Sequence, residues 1–132
     1  RTDLDMDLEA GAAEIMGEPD ALHQVFLNVL TNSIQLIGEG GLISVAARLD
    51  AVENRLVVHI EDSGPGLPPG MREQVFTPFY GKRHGGSGLG LPTARKIIES
   101  HGARIDVQSE VGRGTQFTLE FPTPARLAGG EA

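Results

Sequence analysis

The longest stretch of the chain free of Asp, Glu, Lys and Arg, Ala21–Gly38, carries a row of neutral amides: Gln24, Asn28, Asn32 and Gln35. Steps of four, four and three place them along one edge of a helix. Asn suits a helix interior poorly, because its amide competes with the backbone for hydrogen bonds. A solvated helix face ordinarily uses Glu, Lys and Arg. Amides in their place, beside an apolar face, describe the polar wall of a pocket. Amide oxygens in such a wall can hold a hard cation such as Mg2+, which takes oxygen ligands and often shares them with nucleotide phosphates.

A second cluster, Asp62-Ser63-Gly64-Pro65-Gly66, stands where a predicted strand leaves its sheet. A carboxylate there can accept a hydrogen bond from an exocyclic amine of the kind adenine offers, and the two glycines let a flat base lie close to the backbone. A third, Gly86-Ser87-Gly88-Leu89-Gly90-Leu91, runs straight into a predicted helix. Successive N–H groups of a glycine-rich turn form an anion nest, and the helix N-terminus adds partial positive charge, so phosphate is the expected occupant. Neither familiar phosphate motif fits. Gly81-Lys82 is followed by Arg83 where a Walker loop needs Ser or Thr, and glycines at 86, 88 and 90 lack the spacing of a dinucleotide fold. Eight of the 18 glycines fall between Gly64 and Gly90, about twice an even share, with Val75, Phe76, Phe79, Leu89 and Leu91 interleaved. Flexible linkers lack such anchors.

The elements that must position these clusters follow from periodicity and punctuation. Two short strands, Thr2–Leu8 and Ala13–Met16, open the chain, joined at Gly11. Pro19 and Asp20 start a helix whose Leu22, Val25, Phe26, Val29, Leu30, Ser33 and Ile37 share one buried face, and Gly38–Gly41 ends it. Leu42–Leu49 and Leu56–Asp62 form a hairpin turned at Glu53-Asn54, and a short helix is expected near Met71–Phe76. A second long helix runs from Leu89 to His101, stopped by Gly102. A second hairpin, Arg104–Glu110 and Gln116–Phe121, turns at Gly112-Arg113-Gly114. This order implies an α+β two-layer sandwich, a mixed sheet with its helices on one face.

Composition removes several classes. At 132 residues the chain suits one domain. Eleven basic against eighteen acidic residues give a net charge of −7, which argues against a nucleic-acid partner. With no cysteine there are no disulfides, thiolate metal sites or Cys nucleophile. His23, His59, His84 and His101 are too scattered for a metal centre. No run approaches the roughly 20 apolar residues of a membrane span, and no signal peptide opens the sequence. The first residue is Arg1, not Met, so the expectation is a piece of a longer protein.

Five motifs in order carry a resemblance. Asn28-Val29-Leu30-Thr31-Asn32 looks like an N box, Asp62-Ser63-Gly64-Pro65-Gly66 a G1 box, Phe76-Thr77-Pro78-Phe79 an F box, and Gly86-Ser87-Gly88-Leu89-Gly90-Leu91 a G2 box. Gly112-Arg113-Gly114-Thr115-Gln116-Phe117 is similar to the last glycine motif. Order and spacing resemble the catalytic ATP-binding domain of sensor histidine kinases, in the wider family with DNA gyrase B, Hsp90 and MutL. The match runs from about Asp20 to Phe121. It implies the Bergerat ATP-binding fold: a mixed five-stranded sheet packed against three helices, with the domain at 1–121 and a C-terminal tail at 122–132.

By position, the resemblance makes Asn32 the Mg2+ ligand and Asn28 its neighbour on the phosphate side. Asp62 would bind the adenine amine, with Gly64 and Gly66 shaping the pocket and Thr115 supporting it through water. Gly86, Ser87, Gly88, Leu89 and Gly90 would cradle the phosphates, and Lys82 or Arg83, in a lid from Tyr80 to Gly85, would meet the γ-phosphate. The family often has Lys where Gln35 stands and Phe-x-Thr-Lys where Tyr80-Gly81-Lys82 stands, so one phosphate contact is either missing or supplied by the lid, and one hydroxyl is lost.

The implied activity is transfer of the ATP γ-phosphoryl group to a histidine elsewhere, since the residues after the four histidines, Gln24, Ile60, Gly85 and Gly102, do not resemble an acceptor box. The implied partners are a histidine-bearing dimerisation domain of the same kinase, as a homodimer, and a response regulator receiver domain. The implied location is cytoplasmic, without membrane contact from this domain even where a sensor spans one. Two other readings stand beside it. ATP hydrolysis of the gyrase or Hsp90 kind needs a Glu where Asn28 stands, and an amide cannot take the proton. A module that holds nucleotide or a partner protein without transfer is favoured by Gln35 and Gly81 and opposed by Asn32, Asp62 and the glycine nest.

Overall fold

The computed structural model describes residues 3–8, 19–37, 40–68, 70, 72–78 and 90–123. Strand β1, Asp3–Leu8, precedes helix α1, Pro19–Ile37; strands β2, Leu42–Asp50, and β3, Arg55–Asp62, follow. A single 3₁₀ turn, Glu73–Phe76, comes before helix α2, Gly90–Ser100, and strands β4, Arg104–Glu110, and β5, Gly114–Pro122. The sheet order is β1-β2-β3-β5-β4. Strands β2 to β5 pair antiparallel, and β1 lies parallel to β2 at the edge.

Period-two alternation gives the sheet one face for the helices. Thr115, Phe117, Leu119 and Phe121 of β5, Val58 and Ile60 of β3, and Ile105 and Val107 of β4 are all buried. Above them α1 buries Leu22, Val25, Val29 and Ser33, and α2 buries Leu91, Ala94 and Ile98. Phe121 meets Phe26 of α1 with ring centroids 5.8 Å apart, and Phe117 meets Phe76 of the 3₁₀ turn edge-on at 6.3 Å. Burying each such ring contributes about 1.5–3 kcal/mol. The Arg95 guanidinium of α2 lies 4.7 Å from the centre of the Phe76 ring, so a cation–π contact ties the turn to the helix.

Local chemistry sets the element ends. α1 begins on Pro19, whose missing N–H costs nothing at a first helical position. α2 ends in a Schellman motif: Ala103 N–H reaches the Ile98 carbonyl at 3.0 Å and Gly102 N–H the Glu99 carbonyl at 3.1 Å. Gly102 takes φ +68°, the left-handed conformation that glycine adopts at no steric cost.

One expectation is corrected. The short helix near Met71–Phe76 is a 3₁₀ turn, so the described residues hold two α-helices and one such turn in place of three helices. Pro78 explains it: a residue before proline is driven out of the helical region, and Thr77 sits at φ −76°, ψ 135°. The long helix is described over Gly90–Ser100, within the expected span, and Leu89 lies outside the described residues. Strand β5 reaches Pro122, and Thr123 beyond it is buried, its N–H and hydroxyl both donating to the Asn54 carbonyl at 3.1 and 3.0 Å. The expected strand Ala13–Met16 and the tail beyond Thr123 lie outside the described residues. Among those described, no helix is long and apolar enough to cross a membrane.

Candidate functional site

Asp62 ends β3 on the helix-facing side of the sheet and is 2% exposed. Its exit is pinned to β2 by a reciprocal pair: Ser63 N–H donates to the Leu42 carbonyl at 3.0 Å, and Leu42 N–H donates to Ser63 Oγ at 2.9 Å. One carboxylate oxygen, Oδ1, accepts from Gly64 N–H at 2.9 Å and from Thr115 N–H at 3.3 Å. The other, Oδ2, is buried and has no hydrogen-bond partner among the described residues. Burial pushes the Asp62 carboxyl above its ordinary value; the Gly64 and Thr115 N–H groups pull it down, and Glu61 adds a push upward. A buried acceptor without a donor is costly. This one is oriented by two fixed N–H groups and keeps one oxygen for something that donates.

The loop after Asp62 is sewn to the β4–β5 hairpin. Gly112 N–H donates to the Pro65 carbonyl at 2.9 Å, and Leu67 N–H donates to Ser109 Oγ at 2.6 Å. Gly66 sits at φ +76°, and a Cβ there would strike the Glu110 carbonyl oxygen. Gly114 sits at φ +124°, and a Cβ there would strike the carbonyl oxygen of Asp62 itself. Both positions therefore need glycine for conformation and for space. Leu67, 5% exposed, anchors the loop in the core.

The amide row lies on α1. Of the amide row, Asn28 and Asn32 are half-buried, whereas Gln24 and Gln35 are exposed. Asn28 Nδ2 donates to the Gly90 carbonyl at 3.0 Å, tying α1 to the first residue of α2, and Asn28 Oδ1 accepts from Gln24 Nε2. Both ends of that amide are engaged within the protein, so Asn28 is a tie between the two helices. Asn32 differs, because its Oδ1 is buried without a hydrogen-bond partner among the described residues. An unsatisfied amide oxygen fits a hard cation that takes oxygen donors.

Thr115, buried at 3%, takes part through its N–H to Asp62, while its hydroxyl lies 3.0 Å from Ser109 Oγ. The structure thus brings together Asp62, Gly64, Gly66 and Thr115, and separately Asn28 and Gly90. Lys82, Arg83, Gly86, Ser87, Gly88 and Leu89, with the rest of the segment 79–89, lie outside the described residues. Ser109 carries no role in the sequence reading, and Gly114 enters it only as a glycine of the hairpin turn and of the last motif. Ser109 was detectable as a hydroxyl on the buried phase of a strand otherwise lined by Ile105 and Val107. Among the described residues no group of three His, Cys, Asp or Glu side chains is placed to hold a metal.

Asp62 at the end of β3 and Asn32 on α1 thus each keep a buried oxygen without a hydrogen-bond partner among the described residues. The model of the histidine kinase-, DNA gyrase B- and HSP90-like ATPases matches residues 17–125, and the chain belongs to that ATP-binding family. Within it, the chain is similar to the sensor histidine kinase ZraS of Salmonella typhimurium, 42% identical over 112 residues that cover 85% of this chain and 24% of that protein. The chain therefore spans about a quarter of that relative's length. Its fold is similar to the nucleotide-free catalytic domain of the histidine kinase ThkA, with a TM-score of 0.82 and 29% identity over 92% of this chain and 79% of that one. It is also similar to ThkA in complex with the response regulator protein TrrA, with a TM-score of 0.77 and 28% identity over 92% of this chain and 34% of that one.

Proposed function

We propose that the chain binds ATP as the catalytic domain of a sensor histidine kinase and transfers its γ-phosphoryl group to a histidine on a separate dimerisation domain. The observation that carries this is the divided carboxylate of Asp62, with one oxygen fixed by two backbone N–H groups and the other buried without a partner among the described residues. That free oxygen suits the exocyclic amine of adenine, with Gly64 and Gly66 shaping the space for the base and Thr115 supporting Asp62. Asn32, through its unpartnered Oδ1, would hold Mg2+, which when bound offsets phosphate charge. Gly86, Ser87, Gly88, Leu89 and Gly90 receive the phosphates, and Lys82 or Arg83 meets the γ-phosphate.

Phosphoryl transfer asks a protein mainly for positioning and charge neutralisation. An imidazole nitrogen of the acceptor attacks the γ-phosphorus, the bond to the β-bridging oxygen breaks, and ADP leaves. Hydrolysis needs a base to activate water. Asn28 cannot take a proton, and its amide is spent on Gly90 and Gln24. The response regulator bound by ThkA supports a receiver domain as the next partner. A cytoplasmic setting and a homodimer of the full protein complete the reading. The test supplies the 132-residue chain with γ-labelled ATP and a histidine-bearing dimerisation domain. Acid-labile label on the supplied domain is expected; stable, stoichiometric label on this chain alone would overturn the proposal.

A further inference from the structure

Asp62, Thr115 and Ser109 are register partners across β3, β5 and β4, Asp62 opposite Thr115 and Thr115 opposite Ser109. Directly opposed residues put their side chains on one face, with Cβ atoms about 4.5–5.5 Å apart. The three therefore form a polar row at the end of the sheet where the loop after Asp62 begins.

Hydroxyl protons in this row can be counted. Ser109 Oγ accepts the Leu67 N–H at 2.6 Å, lies 3.0 Å from the Gly114 carbonyl oxygen, and lies 3.0 Å from Thr115 Oγ1. A serine carries one proton, and a carbonyl oxygen only accepts. The Ser109 proton thus goes to Gly114, and the proton shared between the two hydroxyls is that of Thr115. Thr115 Oγ1 keeps only lone pairs for any further contact. Asp62, its neighbour in the row, has in Oδ2 an oxygen with no partner among the described residues, and this oxygen, when ionised, is also an acceptor. Side by side, the two make an edge that accepts and does not donate.

We propose that Ser109 is a positioning residue for nucleotide specificity. By engaging the Thr115 proton and holding Leu67 N–H, it keeps this edge acceptor-only, so the site takes a 6-amino purine and rejects a 6-oxo purine. The inference rests on Asp62 being the group that binds the base. A 6-oxo group would bring lone pairs against lone pairs in a buried place, and a site whose buried polar groups are left unpaired discriminates strongly. Ser109 acts at one remove, through Thr115 and the loop.

The experiment is calorimetric titration of the 132-residue chain with ADP and with inosine diphosphate, which differs in carrying an oxo group in place of the 6-amine. It compares wild type, Ser109→Ala, Ser109→Thr and Thr115→Val. Losing one neutral hydrogen bond from the network should lower the preference for ADP about five- to tenfold in Ser109→Ala, because the freed Thr115 proton can turn to meet the oxo group. Ser109→Thr keeps a hydroxyl and should keep the preference. Thr115→Val removes the acceptor and should lower the preference by a similar factor, and it decides the matter if Ser109→Ala does not fold. If Ser109→Ala weakens both nucleotides equally, or if Thr115→Val leaves the ratio unchanged, Ser109 is merely structural and the proposal is overturned. A wild type that binds neither nucleotide, or binds ADP equally well as Asp62→Asn, overturns the reading of the pocket and this inference with it.

Discussion

Asp62→Asn separates the roles that a buried carboxylate can have. The substituted side chain keeps one oxygen for the N–H groups of Gly64 and Thr115, at 2.9 and 3.3 Å in the wild type, and places an NH2 where Oδ2 stood. A base amine approaching that point would then meet a donor. The loss is one buried hydrogen bond to a charged group, worth roughly 1.5–3 kcal/mol, or about ten- to a hundredfold in ADP affinity. Stability should move differently. Burial raises the Asp62 carboxyl, so between the ordinary and the raised value the folded chain binds more protons than the unfolded one. Stability from this group is present at low pH, falls as pH rises through that window, and stays lowered at neutral pH. Asn does not ionise and carries no such penalty. The nucleotide-free variant should therefore melt no lower than wild type at pH 8 while binding ADP far more weakly. Affinity of the wild type should also fall as pH drops through the raised value, where protonation removes the acceptor, and that dependence should vanish in the variant. Calorimetry and thermal melting read all three. Equal ADP affinity in both proteins, or a variant melting several degrees lower, would refute the reasoning.

Gly114→Ala should destabilise the fold by more than about 1 kcal/mol in denaturant titrations, because the position needs φ +124° and its Cβ would meet the Asp62 carbonyl oxygen. Asn32→Ala should weaken ATP binding in the presence of Mg2+ while leaving metal-free ADP affinity within about twofold, a difference calorimetry resolves easily. Replacing Lys82 and Arg83 together by Ala should lower phosphoryl transfer to a supplied acceptor domain and leave ADP affinity nearly unchanged, since these cations are assigned to the γ-phosphate.

Local signals in the chain reach as far as local physics does. Helix α1 is legible because its buried face recurs at three- and four-residue steps, and the stop at Gly102 because one residue in the left-handed region closes the Schellman motif. The place of Asp62 at a strand end is legible from the Gly64-Pro65-Gly66 turn that follows it, but Asp and Gly are ordinary turn residues, so its assignment to adenine comes from the resemblance. The 3₁₀ turn at Glu73–Phe76 is misread as a helix because the effect of Pro78 falls on the residue before it. The engagement of Asn28 is hidden for another reason: its partner, the Gly90 carbonyl, is 62 positions away, and periodicity gives a helix face without naming what packs there. Gly114 and Ser109 act on Asp62 and on the loop after it only once β4 and β5 pair alongside β3. Motif order supplies the family, and the sheet register supplies the wiring.

The most direct measurement is a crystal structure of this chain with ADP. The adenine amine should lie within hydrogen-bonding distance of Asp62 Oδ2, with Oδ1 still held by Gly64 and Thr115 and the base beside Gly64 and Gly66. ADP bound with its base away from Asp62, or Oδ2 still without a donor in the complex, would contradict the assignment of this carboxylate as the adenine receptor.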